Sequence, residues 1–169
     1  ALAAVAVGDA ILALTGEQSR IKWPNDLLVR GKKVCGILIE SSTTTAIGIG
    51  INLNQTAAEF AAAGLTEAGS LGEIAERPIP VWSAAENVIQ KLDLEFARLL
   101  RGEIIALEAE WKWRVGLLGR QVALELNAGG EIAGRLRDMS FEGIELDCNS
   151  GGPRLIVPEA VRRIRVESL

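Results

Sequence analysis

Residues 21–40 read IKWPNDLLVRGKKVCGILIE, and residues 46–54 read AIGIGINLN. In the first stretch Arg30 and Gly31 separate two β-prone runs, LLV and VCGILIE, at the spacing of a two-residue hairpin turn. With those two residues at the centre of the turn, Leu28 faces Lys33 and Asp26 faces Cys35, so Asp26 and Lys33 share one face. Pro24 fixes its own φ and holds Trp23 extended, which seats Lys22, Asn25 and Asp26 on a constrained strand entry. Two cations and a carboxylate therefore converge on one hairpin.

In the second stretch the bulky Ile47, Ile49, Ile51 and Leu53 lie on one face of a strand, and Gly48, Gly50, Asn52 and Asn54 on the other. Paired glycines serve either a flat ligand brought close to the backbone or a helix packed tightly on it, and alternation alone does not choose. The Asn52 amide has the donors and the acceptor to meet a base edge. Each feature also has a plainer reading: GKK as a solvated hairpin tip, Trp23 as a core residue, and Asp26 after Asn25 as an Asx turn.

Working outward, residues 1–15 place Leu2, Val5, Asp9 and Leu12 at helical spacing among small residues, as in a helix packed closely on a sheet, and Gly16 is a fitting stop. Residues 56–80 end in Pro78 and Pro80 and read as a long loop with a helical turn. Ser83 and Glu86 form an S-x-x-E capping box ahead of Ile89, Leu92, Phe96 and Leu99, with Gly102 closing the helix. A second helix, EIIALEAEWKWR, turns Ile105, Leu107 and Trp111 toward the same sheet. After Gly116 the period returns to two: RQVALEL, IAGRLRDMS, GIELDC, RLIVP and VRRIRV, with turns at NAGGE and NSGGP, make a small β-barrel. The fold class is α+β, a mixed β-sheet with packed helices over residues 1–116 and a five-stranded barrel over 117–169.

Composition narrows the chemistry. The 169 residues include no histidine, which removes Ser-His-Asp and Cys-His nucleophile systems and histidine-ligated zinc. Two cysteines without a CxxC spacing make no disulfide framework or thiolate metal cluster, so no protein-built metal site is expected and a reducing, cytoplasmic setting fits. A formal net charge of −4 argues against a nucleic-acid-coating protein. The opening ALAAVAVGDAILAL lacks a basic flank and is broken by Asp9, so neither a signal peptide nor a membrane span is expected. With no Met at its start, the chain reads as the later part of a longer protein.

KWPND at residues 22–26, GKKVCGILIE at 31–40 and GIGINLN at 48–54, in that order and spacing, resemble the catalytic domain of biotin protein ligases. AGSL at 68–71, the helix from Ser83 and the terminal small barrel are similar to the same family's layout, so the likeness covers nearly the whole chain. It implies a class II synthetase-like biotin/lipoate ligase fold, partial here, followed by an SH3-like barrel. It also implies an ATP-dependent biotin–protein ligase that makes biotinyl-5′-AMP and transfers biotin to a lysine of a biotin carboxyl carrier protein, the acetyl-CoA carboxylase subunit.

By that resemblance Lys33, with Lys22 and Asp26, is catalytic, Lys33 contacting the biotin carboxylate and the α-phosphate. Asn25, Gly36, Leu38, Gly48, Gly50 and Asn52 bind substrate and nucleotide, Asn52 at the adenine edge. Biotin and ATP are substrates and Mg2+ accompanies the phosphates. Since strict alternation puts Lys33 and Leu38 on opposite faces, both can touch ligand only if the strand bulges or twists between them. Residues 56–80 are expected to cover the adenylate. The family's upstream Gly-Arg-Gly-Arg type segment has no match in residues 1–21, so the expectation is a truncated catalytic domain, weakly active or inactive alone. The alternative is a non-catalytic adenylate- or carrier-binding module. No role in binding nucleic acid is expected from these residues, and exposed strand edges are compatible with a homodimer.

Overall fold

The computed structural model describes residues 1–148 and 151–167 and divides into two compact units, residues 1–114 and 115–169. In the first unit the helix α1 (Leu2–Thr15) ends at Gly16, whose φ of 76° lets its N–H reach Leu12 O. Its buried residues run all round it, among them Val5, Val7, Ile11 and Leu14. Two other helices, introduced below as α3 and α4, pack against it.

Four strands follow as one sheet in chain order: β1 (Arg20–Lys22), β2 (Asp26–Val29), β3 (Lys32–Ser41) and β4 (Thr45–Ile51). Every named pairing is antiparallel, and among the described residues an isolated bridge from Lys33 to Ala68 is parallel. The β2–β3 turn has Arg30 at φ 49° and Gly31 at φ 78°, the two positive values a type I′ hairpin requires. The Trp23–Pro24 peptide in the β1–β2 turn is cis.

Register departs from the expected pairing at one point. Leu28 pairs with Lys33 as predicted, but Leu27 pairs with Cys35 and Asp26 with Gly36, leaving Val34 as an extra residue on β3. This is a β-bulge, and its burial pattern agrees: Val34 and Cys35 are both buried although they are adjacent. Beyond the bulge Gly36 pairs with Gly50 and Leu38 with Gly48, so Lys33, Gly36 and Leu38 all present to the face that carries the glycines.

Residues 56–80, read as a loop, contain two short helices, α2 (Ala57–Ala62) and α3 (Leu71–Ile74). Thr56 and Glu59 make a complete capping box, and Ser70 caps α3 through the N–H of Glu73. The box predicted at Ser83 does not form. The helix α4 (Val81–Leu100) begins three residues earlier with Pro80 at its N-cap, so Ser83 already lies within it. Proline pre-sets the entry φ, and Ile79 before it is held by both polar atoms of the Asn54 amide.

Packed on α1, α4 buries Ala84, Val88 and Glu95, while Ile89, Phe96 and Leu99 remain exposed. The last helix, α5 (Ile104–Val115), buries Leu107 and Trp111, the latter meeting Trp23 edge-on at 6.2 Å. Ile105, expected to turn inward, is 87% exposed because it lies about 200° from Leu107 on the helix. Arg114 pairs with Asp9 and tethers the end of α5 to α1.

The second unit is a five-stranded antiparallel sheet of β5 (Gln121–Leu126), β6 (Glu131–Met139), β7 (Ile144–Cys148), β8 (Gly152–Ile156) and β9 (Val161–Val166), in the order β8-β7-β6-β5-β9. All five expected strands are present, with β8 and β9 at the edges and a 3-10 turn at Pro158–Ala160 joining them. Alternate residues Val122, Leu124, Leu136, Leu146 and Ile164 form its core. Gly134 allows close approach, since a Cβ there would lie 2.6 Å from Asp147 O. Of the predicted NSGGP turn, Asn149 and Ser150 lie outside the described residues.

Candidate active site

The bulge at Val34 builds the site. Lys33 shares a face with Asp26 through its pairing with Leu28, the bulge brings Gly36 and Leu38 round to that face, and Lys33 Nζ sits 2.6 Å from Asp26 Oδ1. The Asp26 carboxylate, read in one expectation as an Asx turn, is spent on this ion pair. The lysine side chain is 47% exposed and the aspartate 22%, so the pair stands at the mouth of a cleft and not in the core. That cleft, about 600 Å3, lies over β2, β3 and β4.

Seven predicted positions line it: Asn25, Asp26, Lys33, Gly36, Leu38, Gly48 and Gly50. Ile37 and Ile49, which the sequence reading did not single out, complete the lining. The Asn25 side chain donates to Ile37 O at 2.8 Å while Ile37 N donates to Asn25 O, so Asn25 ties the β1–β2 turn to β3. Leu38, 60% exposed, supplies an apolar surface on the same face.

The two glycine readings can now be separated. A Cβ on Gly48 would meet nothing nearer than Leu38 O at 3.7 Å, and one on Gly50 nothing nearer than Gly36 O at 3.8 Å. Both are ordinary contacts, so no packed helix explains these glycines. What they leave is a flat floor opposite an amine.

Two predicted residues lie outside this cleft. Lys22 lines a smaller neighbouring pocket of about 220 Å3 together with Lys33, Leu28 and the segment from Gly64 to Ala68. The Asn52 side chain donates to Lys33 O at 3.2 Å and to Gly69 O at 3.1 Å. Both amide donors are thereby occupied, and only its oxygen is left for an outside donor.

The segment around Glu67 to Gly69 is what sequence reasoning missed. Lys33 N donates to Glu67 O, Gly69 N donates to Lys33 O, and Lys32 Nζ donates to Thr66 O. This part of the expected cover is pinned beside β3. The only sequence signal was AGSL at 68–71, which carries no local pattern of its own.

Cys35, on the opposite face from the cleft, is 1% exposed. Burial, with Asp26 adding to it and Lys33 opposing, pushes its thiol up to about 12, which leaves it no role as a nucleophile. Among the described residues no group of three or more His, Cys, Asp or Glu side chains could hold a metal.

The site is thus a cation–carboxylate pair over a glycine floor, on a bulged hairpin. Over residues 1–54 the chain matches the sequence pattern of the biotin/lipoate A/B protein ligase family. Its relatives lie on the biotin side. It is 31% identical to the bifunctional ligase/repressor BirA of Bacillus spizizenii over 152 residues, which are 86% of this chain and 46% of that protein. It is 29% identical to the biotin–[acetyl-CoA-carboxylase] ligase of Mycobacterium tuberculosis over 92% of this chain and 58% of that one. The chain thus spans about half the length of the curated relatives it matches. In fold it is similar to the biotin protein ligase of Aquifex aeolicus in complex with biotin and ATP, with a TM-score of 0.83 and 24% identity over 98% of this chain and 70% of that one. The apo structure of the same ligase gives a TM-score of 0.84.

Proposed function

We propose that this chain carries the adenylate-forming and acyl-transfer site of an ATP-dependent biotin protein ligase. A biotin carboxylate oxygen attacks the α-phosphorus of ATP, the bond to the bridging β-phosphate oxygen breaks, and pyrophosphate leaves. The ε-amine of a lysine on a biotin carboxyl carrier protein then attacks the acyl carbon of biotinyl-5′-AMP. AMP departs with the bonding pair and the amine gives up one proton.

The observation that carries this reading is the Lys33 amine, held by Asp26 over the Gly48–Gly50 floor. A compact ammonium there offsets charge growing on the α-phosphate and its attacking carboxylate. Asp26 aims that amine and stands near enough to receive a proton from an incoming lysine. Asn25 holds the turn from which Asp26 enters. Gly36, Leu38, Gly48 and Gly50 form the surface on which the flat biotin ring system lies. Lys22, in the adjoining pocket, adds positive potential beside the phosphates. Magnesium fits as a companion of the ATP triphosphate, since Asp26 is already paired and hard-oxygen coordination by phosphates needs few protein ligands.

Residues 117–169 are proposed as a separate SH3-like module, and β4, at the edge of its sheet, as a surface able to meet a second copy. Among the described residues no helix is long and apolar enough to cross a membrane. With both cysteines free, a reducing cytoplasm that supplies ATP is the proposed setting.

The test is calorimetric binding of biotinyl-5′-AMP together with pyrophosphate release from ATP, magnesium and biotin. Lys33→Ala is expected to lower pyrophosphate release by about 100-fold or more, by analogy with removing one transition-state donor. A variant that binds the adenylate and releases pyrophosphate like the unsubstituted chain would refute the assignment. A chain that binds a carrier protein but neither adenylate nor ATP would be the non-catalytic module instead.

A further inference from the structure

We propose that Trp111 is a positioning residue: through Trp23 it braces the turn that delivers Asn25 and Asp26 to the cleft. The inference rests on the proposed function for the meaning of Asp26, while the brace itself is geometric. Asn25 and Asp26 follow β1, a strand of 3 residues at the edge of its sheet, with β2 as its ladder neighbour. So short an edge strand gives the turn after it few main-chain bonds to stand on. Further support comes from α5. At one end of β1 Arg20 donates to Trp113 O at 3.0 Å, and its guanidinium lies 5.4 Å from the centre of the Trp113 ring. Just past the other end Trp23 meets Trp111 edge-on, the two ring planes 60° apart.

The helix is a firm base for this contact. Glu110 of α5 is bonded by Arg98 of α4, Arg114 pairs with Asp9 of α1, and Trp111 itself is buried. On the side of β3 the turn is held by Asn25, whose side chain donates to Ile37 O and whose carbonyl accepts from Ile37 N. The turn is thus gripped between an indole and a strand, and Asp26 leaves it to meet Lys33 Nζ. Neither tryptophan lines the cleft or the pocket beside it, so their effect on the reaction runs through Asn25 and Asp26. A displacement of about 1 Å in a group that orients the reacting atoms can cost on the order of 100-fold in rate. An edge-to-face ring contact fixes position, which an aliphatic side chain filling the same space does not.

Trp111→Leu keeps an apolar core and Trp111→Phe keeps an aromatic edge, and pyrophosphate release from ATP, magnesium and biotin compares them at a temperature where both are folded. In Trp111→Leu kcat is expected to fall about tenfold with the KM for ATP within about twofold of the parent's, and in Trp111→Phe to recover to within about threefold. Lost stability with kcat unchanged overturns the proposal, as does a KM that rises while kcat holds. Amide exchange reads the turn directly. In Trp111→Leu the Ile37 N–H, whose acceptor is Asn25 O, is expected to exchange about tenfold faster while that of Ile11 in α1 is unchanged. Equal acceleration at both, or none at Ile37, overturns the brace. If Trp111→Leu does not fold, Trp23→Leu, at the half-buried ring of the pair, carries the same expectations and is judged in the same way. A parent chain that releases no pyrophosphate refutes the proposed function and leaves Ile37 exchange to decide the brace.

Discussion

The amine of Lys33 reaches Asp26 Oδ1, 2.6 Å away, from the same strand that sets Leu38 on the cleft face, and the unpaired Val34 between them reconciles the two. Without that extra residue alternation would turn Leu38 away from any ligand the lysine touches. The cleft is a product of register as much as of residue type.

The floor gives the first prediction. Because a methyl at Gly50 meets only Gly36 O at 3.8 Å, Gly50→Ala should shift stability by no more than about 1 kcal/mol in either direction. Affinity for biotinyl-5′-AMP should nevertheless fall at least tenfold, because the methyl would stand in the cleft where we propose that the ring system lies. Chemical denaturation beside calorimetry checks both, and lost stability with intact affinity would mean the glycine serves packing.

A second concerns helix entry. Thr56→Ala removes a working cap and should cost about 1 kcal/mol, whereas Ser83→Ala, inside α4, should cost close to nothing. Urea midpoints of the two variants, compared with the parent, would expose an error if their order were reversed.

The corner between α4 and α5 supplies a third. Arg98 bonds Glu95, Glu103 and Glu110 at 2.8, 3.3 and 3.1 Å, and the Glu95 side chain is only 6% exposed. Arg98→Ala would strand that buried carboxylate and should destabilise by about 3 kcal/mol. Arg101→Ala, removing an arginine that is 59% exposed and bonded to Glu103 alone, should lie within about 0.5 kcal/mol of the parent. Equal losses for the two variants would show that burial of Glu95 is not what matters.

The fourth is a pH dependence in the second unit. The guanidinium of Arg162, hydrogen-bonded to Glu125, holds its carboxyl below the ordinary 4.5, with Arg165 adding to the effect. A carboxyl lowered in the folded state stabilises fully above its unfolded value and loses that contribution as pH falls through the folded one. The difference in melting temperature between the chain and Glu125→Gln should therefore be largest near pH 6 and shrink below about pH 4. A difference that grew on acidification would have the wrong sign.

Much of the site was legible before any coordinates. The turn at Arg30 and Gly31, the glycine face of β4 and the convergence of Lys33 with Asp26 all follow from interactions within a few residues along the chain. Turn chemistry and strand alternation are local, so the sequence carries them. The three S/T-x-x-E patterns show where that legibility stops. Those at Thr56 and Ser70 cap helices and the one at Ser83 does not, because Asn54 and Pro80 start that helix earlier.

By itself, then, the amino-acid sequence determined which residues are available to the cleft and on which strands they stand. Only the tertiary structure decided the bulge at Val34, the spending of the Asn52 amide on Lys33 and Gly69, and the buried side of α4. Those outcomes turn on competition for hydrogen-bond partners and apolar surface between segments distant in the chain. No local pattern records which of several chemically adequate partners will be nearest once the chain has folded.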